Sequence, residues 1–181
     1  MKSSILFRLA NNEVLLVGST PFVPVSGNLL WTFPRFYKEF SLEVEVKLTG
    51  KNPDHWTNLL VVTRRNGENT EVGDRFPTIS VRPNSYTLRI ASGAVNGLLD
   101  YVFDRVLPEN VWTKVKVEQR LINSKYFYTI TIDGVQERNI ENTTPYVYDN
   151  MKVLVCGAGR CQADIQAMIR NLKITNASPS E

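Results

Sequence analysis

The chain has 181 residues, of which 43% are hydrophobic and 22% charged, and its formal net charge is +3 from 21 basic and 18 acidic residues. This length fits one domain, which buries roughly 70% of its unfolded surface and therefore needs no metal or disulfide to fold. The weak, scattered basic excess argues against a nucleic-acid partner, which requires a concentrated basic face. No apolar run approaches the roughly 18 residues of a membrane span, so we expect no membrane insertion by this domain.

The two termini suggest an excised domain. The first nine residues lack the apolar core and the cleavage site of a signal peptide, so the protein is either cytosolic or a piece of a longer secreted chain. The last six residues, 176–181, are small or turn-forming and read as the start of a linker. We expect one domain over residues 1–175, followed by a tail, within a larger secreted or cell-surface protein.

Alternation with a period of two residues dominates the chain and predicts β-strands. Eleven segments show it or are bounded by turn residues: 5–9, 14–17, 40–48, 58–64, 78–82, 86–91, 111–117, 126–133, 135–140, 151–156 and 167–175. The dipeptide Asp133-Gly134 predicts a tight hairpin turn between two of them. No segment has a sustained helical period, and the best helical candidate, 161–168, is short.

These short strands predict an all-β, two-sheet antiparallel sandwich of the jelly-roll type, with about twelve to fourteen strands. An α/β sheet would require helical crossovers, which the sequence lacks. The predicted core consists of alternating aliphatic positions: Leu42, Val44, Val46, Leu59, Val61, Val115, Val117, Ile130, Ile132 and Leu172.

Four segments in order resemble the strands of laminin G-like domains, namely residues 40–48, 111–117, 128–134 and 167–174. Trp112 and the run Ile169-Arg-Asn-Leu172 are the most specific of these matches. The wider superfamily is the concanavalin A-like jelly roll of lectins, laminin G domains, pentraxins and some glucanases. The resemblance implies a recognition module, although this fold carries many functions.

An enzyme of the glucanase type is one alternative. Such enzymes use two carboxylates on one strand as nucleophile and general acid. Glu43 and Glu45 share a strand face, but the third acid of the family pattern is absent, because Lys47 and Leu48 follow. His55 is the only histidine, and no nucleophile elbow or phosphate-binding loop is present. We therefore favour a non-catalytic binding module over a β-glucan hydrolase.

A glycan site on rim loops is the favoured hypothesis, since binding residues concentrate on loops held by a rigid scaffold. Its predicted residues are Asp54, Trp56, Asn69, Asp74 and Arg75, with Trp56 stacking on a sugar and the charged groups bonding its hydroxyls. The alternative for Trp56 is a plug at the end of the sandwich, since large aromatics are mostly buried.

Calcium is the one cofactor that the resemblance allows. Laminin G and pentraxin domains often hold Ca²⁺ on rim loops, and the 66–74 loop carries enough oxygen ligands, from Asn66, Glu68, Asn69, Glu71 and Asp74. The competing interpretation is an Asp74–Arg75 pair that fixes the loop.

A protein-binding adhesion or receptor module is the second function hypothesis. It requires a broad face with an aromatic and arginine-rich centre. Tyr146, Tyr148 and the 157–165 loop are its candidate residues.

Two features favour an extracellular location. Cys156 and Cys161 flank a glycine-rich loop short enough to close a disulfide, while zinc is a poor alternative because His55 is remote and no second cysteine pair exists. The remaining alternative is two unrelated buried thiols. Asn142 and Asn176 begin N-glycosylation sequons, patterns that also arise by chance.

Overall fold

The computed structural model describes residues 7–8, 13–25, 27–52, 54–65, 73–93, 95–97, 101–157 and 165–177. These ranges contain β-strands and no helix. The strands are β1 Phe7–Arg8, β2 Glu13–Val17, β3 Asn28–Phe36, β4 Glu39–Leu48, β5 Thr57–Thr63, β6 Thr78–Val81, β7 Thr87–Ser92, β8 Tyr101–Val106, β9 Thr113–Ile122, β10 Lys125–Ile132, β11 Val135–Asn142, β12 Tyr148–Val155 and β13 Ala167–Ala177. No helix in the described ranges is long and apolar enough to cross a bilayer.

The strands form two antiparallel sheets. A seven-stranded sheet has the order β1-β2-β13-β4-β9-β10-β11, and a six-stranded sheet has the order β3-β12-β5-β6-β7-β8. The predicted all-β, two-sheet architecture is therefore confirmed. Strand β13 pairs with both β2 and β4, and it continues through Asn176 to Ala177, so the first two residues of the predicted tail belong to the sheet.

The core lies between the sheets and is made by the residues that the alternation selects. All ten predicted core side chains are at most 5% exposed. Nine belong to the cluster between the sheets, whereas Val61 is buried outside it, because the register shift between Asn58 and Leu60 changes the alternation in β5. The predicted hairpin is also present: Asp133 and Gly134 have φ values of 49° and 83°, the left-handed pair that a two-residue turn between twisted strands requires. The Asp133 carboxylate accepts a hydrogen bond of 2.7 Å from the Lys114 backbone N–H, which fixes the turn.

Two strands, β3 and β8, were not predicted, and both lie at an edge of the six-stranded sheet. Strand β3 contains Pro34, which cannot donate to a ladder and is tolerated at an edge because only one side of the strand is paired. Strand β8 exposes Asp104, Arg105 and Val106 in succession, so its alternation is lost where the edge meets solvent.

Strand β5 defines two ends of the sandwich. At its start lie Asn52, residues 54–56 and the turn 82–86, which we call the Trp56 end. At its finish lie residues 64–65, 73–75 and Tyr146, which we call the Tyr146 end. Two backbone hydrogen bonds hold these loops together, from Asn84 N–H to Asn52 O (2.9 Å) at the first end and from Arg64 N–H to Gly73 O (3.2 Å) at the second.

Candidate functional site

The structure divides the predicted glycan-site residues between the two ends. Asp54 and Trp56 precede β5, whereas Asp74 and Arg75 lie beside the residues that follow it. Because an extended strand rises about 3.3 Å per residue, the length of β5 places the two groups roughly 25 Å apart along the sheet. They cannot contact one small ligand together, so the single site expected from the sequence is not assembled. Asn69 lies outside the described residues.

Trp56 lies on the outer face of the six-stranded sheet and does not plug the end of the sandwich. Its neighbour Thr57 pairs with the core residue Val81, which places Trp56 on the opposite side. The Arg89 guanidinium carbon is 4.3 Å from the centre of the indole ring, within cation–π distance. Trp56 is partly exposed. It is therefore an oriented aromatic side chain on the surface.

A salt bridge across β7 and β8 holds Arg89 in place. Its Nε and Nη2 donate to the two carboxylate oxygens of Asp104 at 2.8 and 2.9 Å, a bidentate geometry. The hydrogen bond from Arg89 lowers the pKa of Asp104, burial opposes this, and the charges of Arg89 and Arg82 lower it further. Asp104 is thus an anion at neutral pH, and Trp56, Arg89 and Asp104 form one connected group.

The loop before Trp56 is fixed by a network of polar contacts. The Asp54 carboxylate is exposed and accepts a 2.8 Å hydrogen bond from the Asn84 side-chain amide. The fully buried Asn52 accepts a 2.9 Å hydrogen bond at Oδ1 from the Gln166 backbone N–H, which ties the loop to the start of β13. The Trp56 end therefore presents an aromatic ring, a carboxylate and an amide on supported backbone.

Sequence reasoning missed Arg89, Asp104 and Asn84 as members of this group. Asn84 lies in the turn between β6 and β7 with a φ of 50°, and nothing local in the sequence connects it with Asp54. Arg89 and Asp104 meet because β7 pairs with β8 in the register Arg89↔Asp104. Since β8 was not predicted, that register could not be either.

The Tyr146 end is built around a pair of tyrosines. Tyr146 is 44% exposed, and its ring centre is 5.9 Å from that of the buried Tyr148. Tyr148 packs edge-on against Phe76 at 5.2 Å, and the Arg64 guanidinium lies 5.9 Å from its ring centre. Burial, with a further contribution from Tyr146, raises the pKa of Tyr148 to about 12 against the lowering effect of Arg64.

Asp74 and Arg75 lie at this end, but Asp74 is not available to a ligand. Its side chain is 1% exposed, and Arg65 Nε lies 3.8 Å from its Oδ1. This contact differs from the predicted pair of Asp74 with Arg75, which stays a prediction. Arg75 is partly buried, and its carbonyl accepts a 2.7 Å hydrogen bond from the Gly93 N–H. Residues 66–72, the other predicted calcium ligands, lie outside the described residues, and the described part of the chain brings no three His, Cys, Asp or Glu side chains together.

The carboxylates of the enzyme alternative are engaged in ion pairs. Glu43 contacts Lys114 at 2.7 Å and Lys173 at 3.6 Å. Burial alone would raise its pKa, but the hydrogen bond from Lys114 and the nearby positive charges outweigh burial and lower it. For Glu45, hydrogen bonds from Asn171 and Arg170 likewise outweigh burial and lower the pKa. A glycosidase general acid needs a raised pKa, so this pair is not suited to that role.

The residues that carry the laminin G resemblance form a surface network. The Trp112 ring has Arg170 at 4.2 Å and Lys47 at 5.2 Å from its centre. Arg170 and Asn171 both donate to Glu45, at 2.7 and 2.8 Å. Asn171 has a φ of 52° at the irregularity in the pairing of β13 with β4. The motif therefore has a structural role on the seven-stranded sheet, whereas the Trp56 group lies on the other sheet.

No protein-family model and no curated protein sequence matches the chain. Among solved structures, the chain is similar to the receptor binding domain of botulinum neurotoxin D, with 13% identity and a TM-score of 0.56 over 98% of this chain and 44% of that one. It is also similar to the binding domain of botulinum neurotoxin serotype G, with 10% identity and a TM-score of 0.55 over 97% of this chain and 42% of that one. A third similar structure is the binding domain of botulinum neurotoxin DC in complex with rat synaptotagmin II. Its identity is 13% and its TM-score 0.53, over 93% of this chain and 49% of that one.

At these identities the likeness establishes the fold alone. The chain spans less than half the length of each of these solved chains. The neighbours fit the jelly-roll arrangement of the two sheets, while membership of the laminin G family within that class stays a prediction.

The two predicted glycan acceptors are buried. Asn142 is 2% exposed, and its Nδ2 donates to Gln119 Oε1 at 2.7 Å. Asn176 is 7% exposed, its Nδ2 donates to the Arg35 carbonyl at 2.8 Å, and its Oδ1 accepts from the Tyr37 N–H at 2.8 Å. A glycan replaces a hydrogen of that Nδ2, so this folded arrangement argues against occupancy of either sequon.

Cys156 directly follows β12 and is buried, with a φ of 53°. Its predicted partner Cys161 lies outside the described residues, so the disulfide stays a prediction. The 157–165 loop, a candidate for the protein-binding face, is described only at Gly157 and Ile165. The carbonyl of Gly157 accepts a 3.1 Å hydrogen bond from the Asn58 side chain.

Proposed function

We propose that this chain is a non-catalytic recognition module that binds a glycan at the Trp56 end. The observation that carries the proposal is the partly exposed indole of Trp56, oriented by Arg89 and Asp104. An indole offers an apolar, polarisable surface to the C–H face of a sugar. The exposed Asp54 carboxylate and the Asn84 amide supply acceptors and donors for sugar hydroxyls at the same end.

Preorganisation is the physical reason to favour this end. Arg89 contacts Trp56 and is itself held by Asp104, so the indole is already restricted before a ligand binds. It therefore loses little rotamer freedom when a ligand stacks on it. The hydrogen bond from Asn84 to Asp54 limits the loop in the same way. Because Arg89 already contacts the ring, we expect a sugar to stack on the indole surface that Arg89 leaves uncovered.

The similar solved structures are a receptor binding domain and two binding domains, and one of them is in complex with a protein. Their likeness supports recognition in general without selecting glycan or protein. The lowered pKa of Glu43 and of Glu45 counts against the glucanase alternative and so supports the non-catalytic part of the proposal.

A glycan array run with and without Ca²⁺ tests the glycan proposal. Trp56→Ala should abolish binding. Trp112→Ala is the matched control, because it also removes a partly buried indole stacked with an arginine, but on the other sheet. Binding that survives Trp56→Ala, or that both variants lose equally with intact folding, would contradict the site. Asp74→Ala should act on stability, since that side chain is buried.

A protein-binding module is the second candidate, favoured by the exposure of Tyr146 beside Tyr148 and Arg64. Tyrosine and arginine are enriched among residues that dominate binding energy at protein interfaces. Binding of the domain to cells treated with glycosidases or with proteases separates the two functions. Sensitivity to glycosidase and to Trp56→Ala supports the glycan site; sensitivity to protease and to Tyr146→Ala supports the protein site.

We further propose that the domain is extracellular, within a larger secreted or cell-surface protein, and that Cys156 and Cys161 form a disulfide. Such bonds persist in oxidising compartments. Intact-mass measurement after alkylation, with and without reduction, tests the pair. Two thiols that alkylate freely without reduction would contradict it.

A further inference from the structure

Asn96 and Gly97 form an exposed turn whose backbone is left-handed at both residues. Their φ values are 55° and 68°, and both are exposed. Asn-Gly is the dipeptide best suited to such a turn. It is also the dipeptide in which a backbone nitrogen has least hindrance in attacking the preceding carboxamide. Among the described residues, a Cβ at Gly97 would meet Thr144 Oγ1 alone, at 3.8 Å, so this side of the turn is open.

Hydrogen bonds hold the Asn96 side chain against Thr143, the residue that follows β11. Its Oδ1 accepts hydrogen bonds from the Thr143 backbone N–H at 2.7 Å and from the Thr143 hydroxyl at 3.1 Å. The Asn96 backbone N–H donates to Asn142 Oδ1 at 2.9 Å. Asn142 in turn donates to Gln119 of β9, so the turn is tied to the seven-stranded sheet through the side chains of Asn142 and Gln119.

We propose that Asn96 is a site of spontaneous deamidation whose rate is controlled by its contacts with Thr143. The Gly97 backbone nitrogen attacks Asn96 Cγ, forming an N–Cγ bond and losing its proton. The carboxamide C–N bond breaks, and the nitrogen leaves as ammonia, which yields a five-membered succinimide. Water then adds to one of the two imide carbonyls and opens the ring to aspartate or isoaspartate, without any oxidant or other reactant.

The folded turn restrains this reaction in two ways. In the left-handed region ψ is about +47°, which places the Gly97 nitrogen on the side of the Asn96 Cα–C bond away from Cβ. The carboxamide oxygen is also anchored on Thr143. Attack therefore requires a local opening in which the peptide rotates and the carboxamide leaves Thr143, and the reaction rate reports that opening.

The two products differ in their fit to the turn. Aspartate keeps an oxygen at the position that accepts from Thr143, and a charged acceptor makes those hydrogen bonds stronger. Isoaspartate inserts a methylene between Cα and the peptide carbonyl and leaves its free carboxylate directly on Cα, one carbon short of the oxygen that accepts from Thr143. The folded domain should thus tolerate the first product and lose the contact between the turn and the sheet with the second.

Peptide mapping by mass spectrometry during incubation at mildly alkaline pH tests the proposal on the whole chain. Thr143→Val removes the hydroxyl hydrogen bond, and loss of one bond of ordinary net strength should make Asn96 deamidation about fivefold faster. Thr144→Val, the isosteric change at the next residue, should leave the rate unchanged. The Asn66-Gly67 dipeptide in the same chain serves as an internal reference for the chemical conditions of the incubation.

Faster deamidation at Asn96 in Thr143→Val, with Asn66 unchanged, would support control by Thr143. Equal rates in the parent and in Thr143→Val, or a rate in the folded chain equal to that in denaturant, would overturn it. Asn96→Asp should melt no lower than the parent chain, and a clear loss of thermal stability would contradict the predicted fit of the aspartate product.

Discussion

Gly73 lies against Tyr148 at the Tyr146 end, and it offers a sharp test of the packing there. Its φ is +93°, and a Cβ built on it would lie 2.8 Å from Tyr148 Cε1. Tyr148 cannot move aside cheaply, because it is 5% exposed and packs against Phe76 and Tyr146. Gly73→Ala should therefore combine a backbone penalty with a steric clash.

The two contributions can be separated with a matched glycine. Gly134 has a similar φ of +83°, but a Cβ there would meet nothing within 4 Å. Gly134→Ala should lower the free energy of unfolding by about 1–2 kcal/mol, the penalty for a left-handed non-glycine residue. Gly73→Ala should lower it by about 2–5 kcal/mol, because overpacking adds about 1–3 kcal/mol.

Urea unfolding of the two variants measures the difference as a change in midpoint at constant slope. Tyr148→Leu removes the ring that Gly73→Ala would contact, so in that background the effect of Gly73→Ala should fall to that of Gly134→Ala. Equal losses for Gly73→Ala and Gly134→Ala in the parent chain would refute the argument that Tyr148 is fixed in place.

Three further predictions concern the sequons, the acid pH range and the core. In a glycosylating host, Asn142 and Asn176 should remain unmodified, and a glycosidase-sensitive mass shift would contradict their burial in the native state. Because the pKa of Asp104 is lowered in the folded state, its ion pair with Arg89 stabilises the fold above the pKa of an unfolded aspartate. This stabilisation is lost as the pH falls through the folded pKa. The free energy of unfolding should therefore fall more steeply with acid in the parent chain than in Asp104→Asn. Leu59→Ala should cost about 2–5 kcal/mol in chemical denaturation, while Leu121→Ala, at a position 47% exposed, should cost far less.

Much of the fold could be predicted because its main signals are local. Side chains alternate across a strand, so Leu42, Val44 and Val46 identify one buried face without knowledge of any neighbour. The Asp133-Gly134 turn is equally local, since its two φ values depend on those two residues. Strand β3 was missed because Pro34 is acceptable only at a sheet edge, and edge position is not a local property.

The candidate site was predicted only in part. Trp56 and Asp54 do lie together, because they are close in the chain on one loop. Asp74 has oxygen atoms suited to a ligand, but burial beside Arg65 decides its role, and the sequence does not specify burial of a loop residue. The sequons show the same limit: Asn142 and Asn176 match a short surface pattern, yet both carboxamides bond within the fold.

By itself, then, the sequence determined most of the strands, most of their buried faces and the all-β class, because these follow from a side-chain period that each strand carries alone. The tertiary structure decided which residues share an end of the sandwich. Trp56 and Asp74 are separated by the length of β5, while Asp104 is brought to Arg89 and Trp56 by the register of β7 with β8. Strand pairing joins residues distant in the chain through backbone hydrogen bonds, and backbone groups are the same in every residue, so the pairing leaves little trace in the sequence.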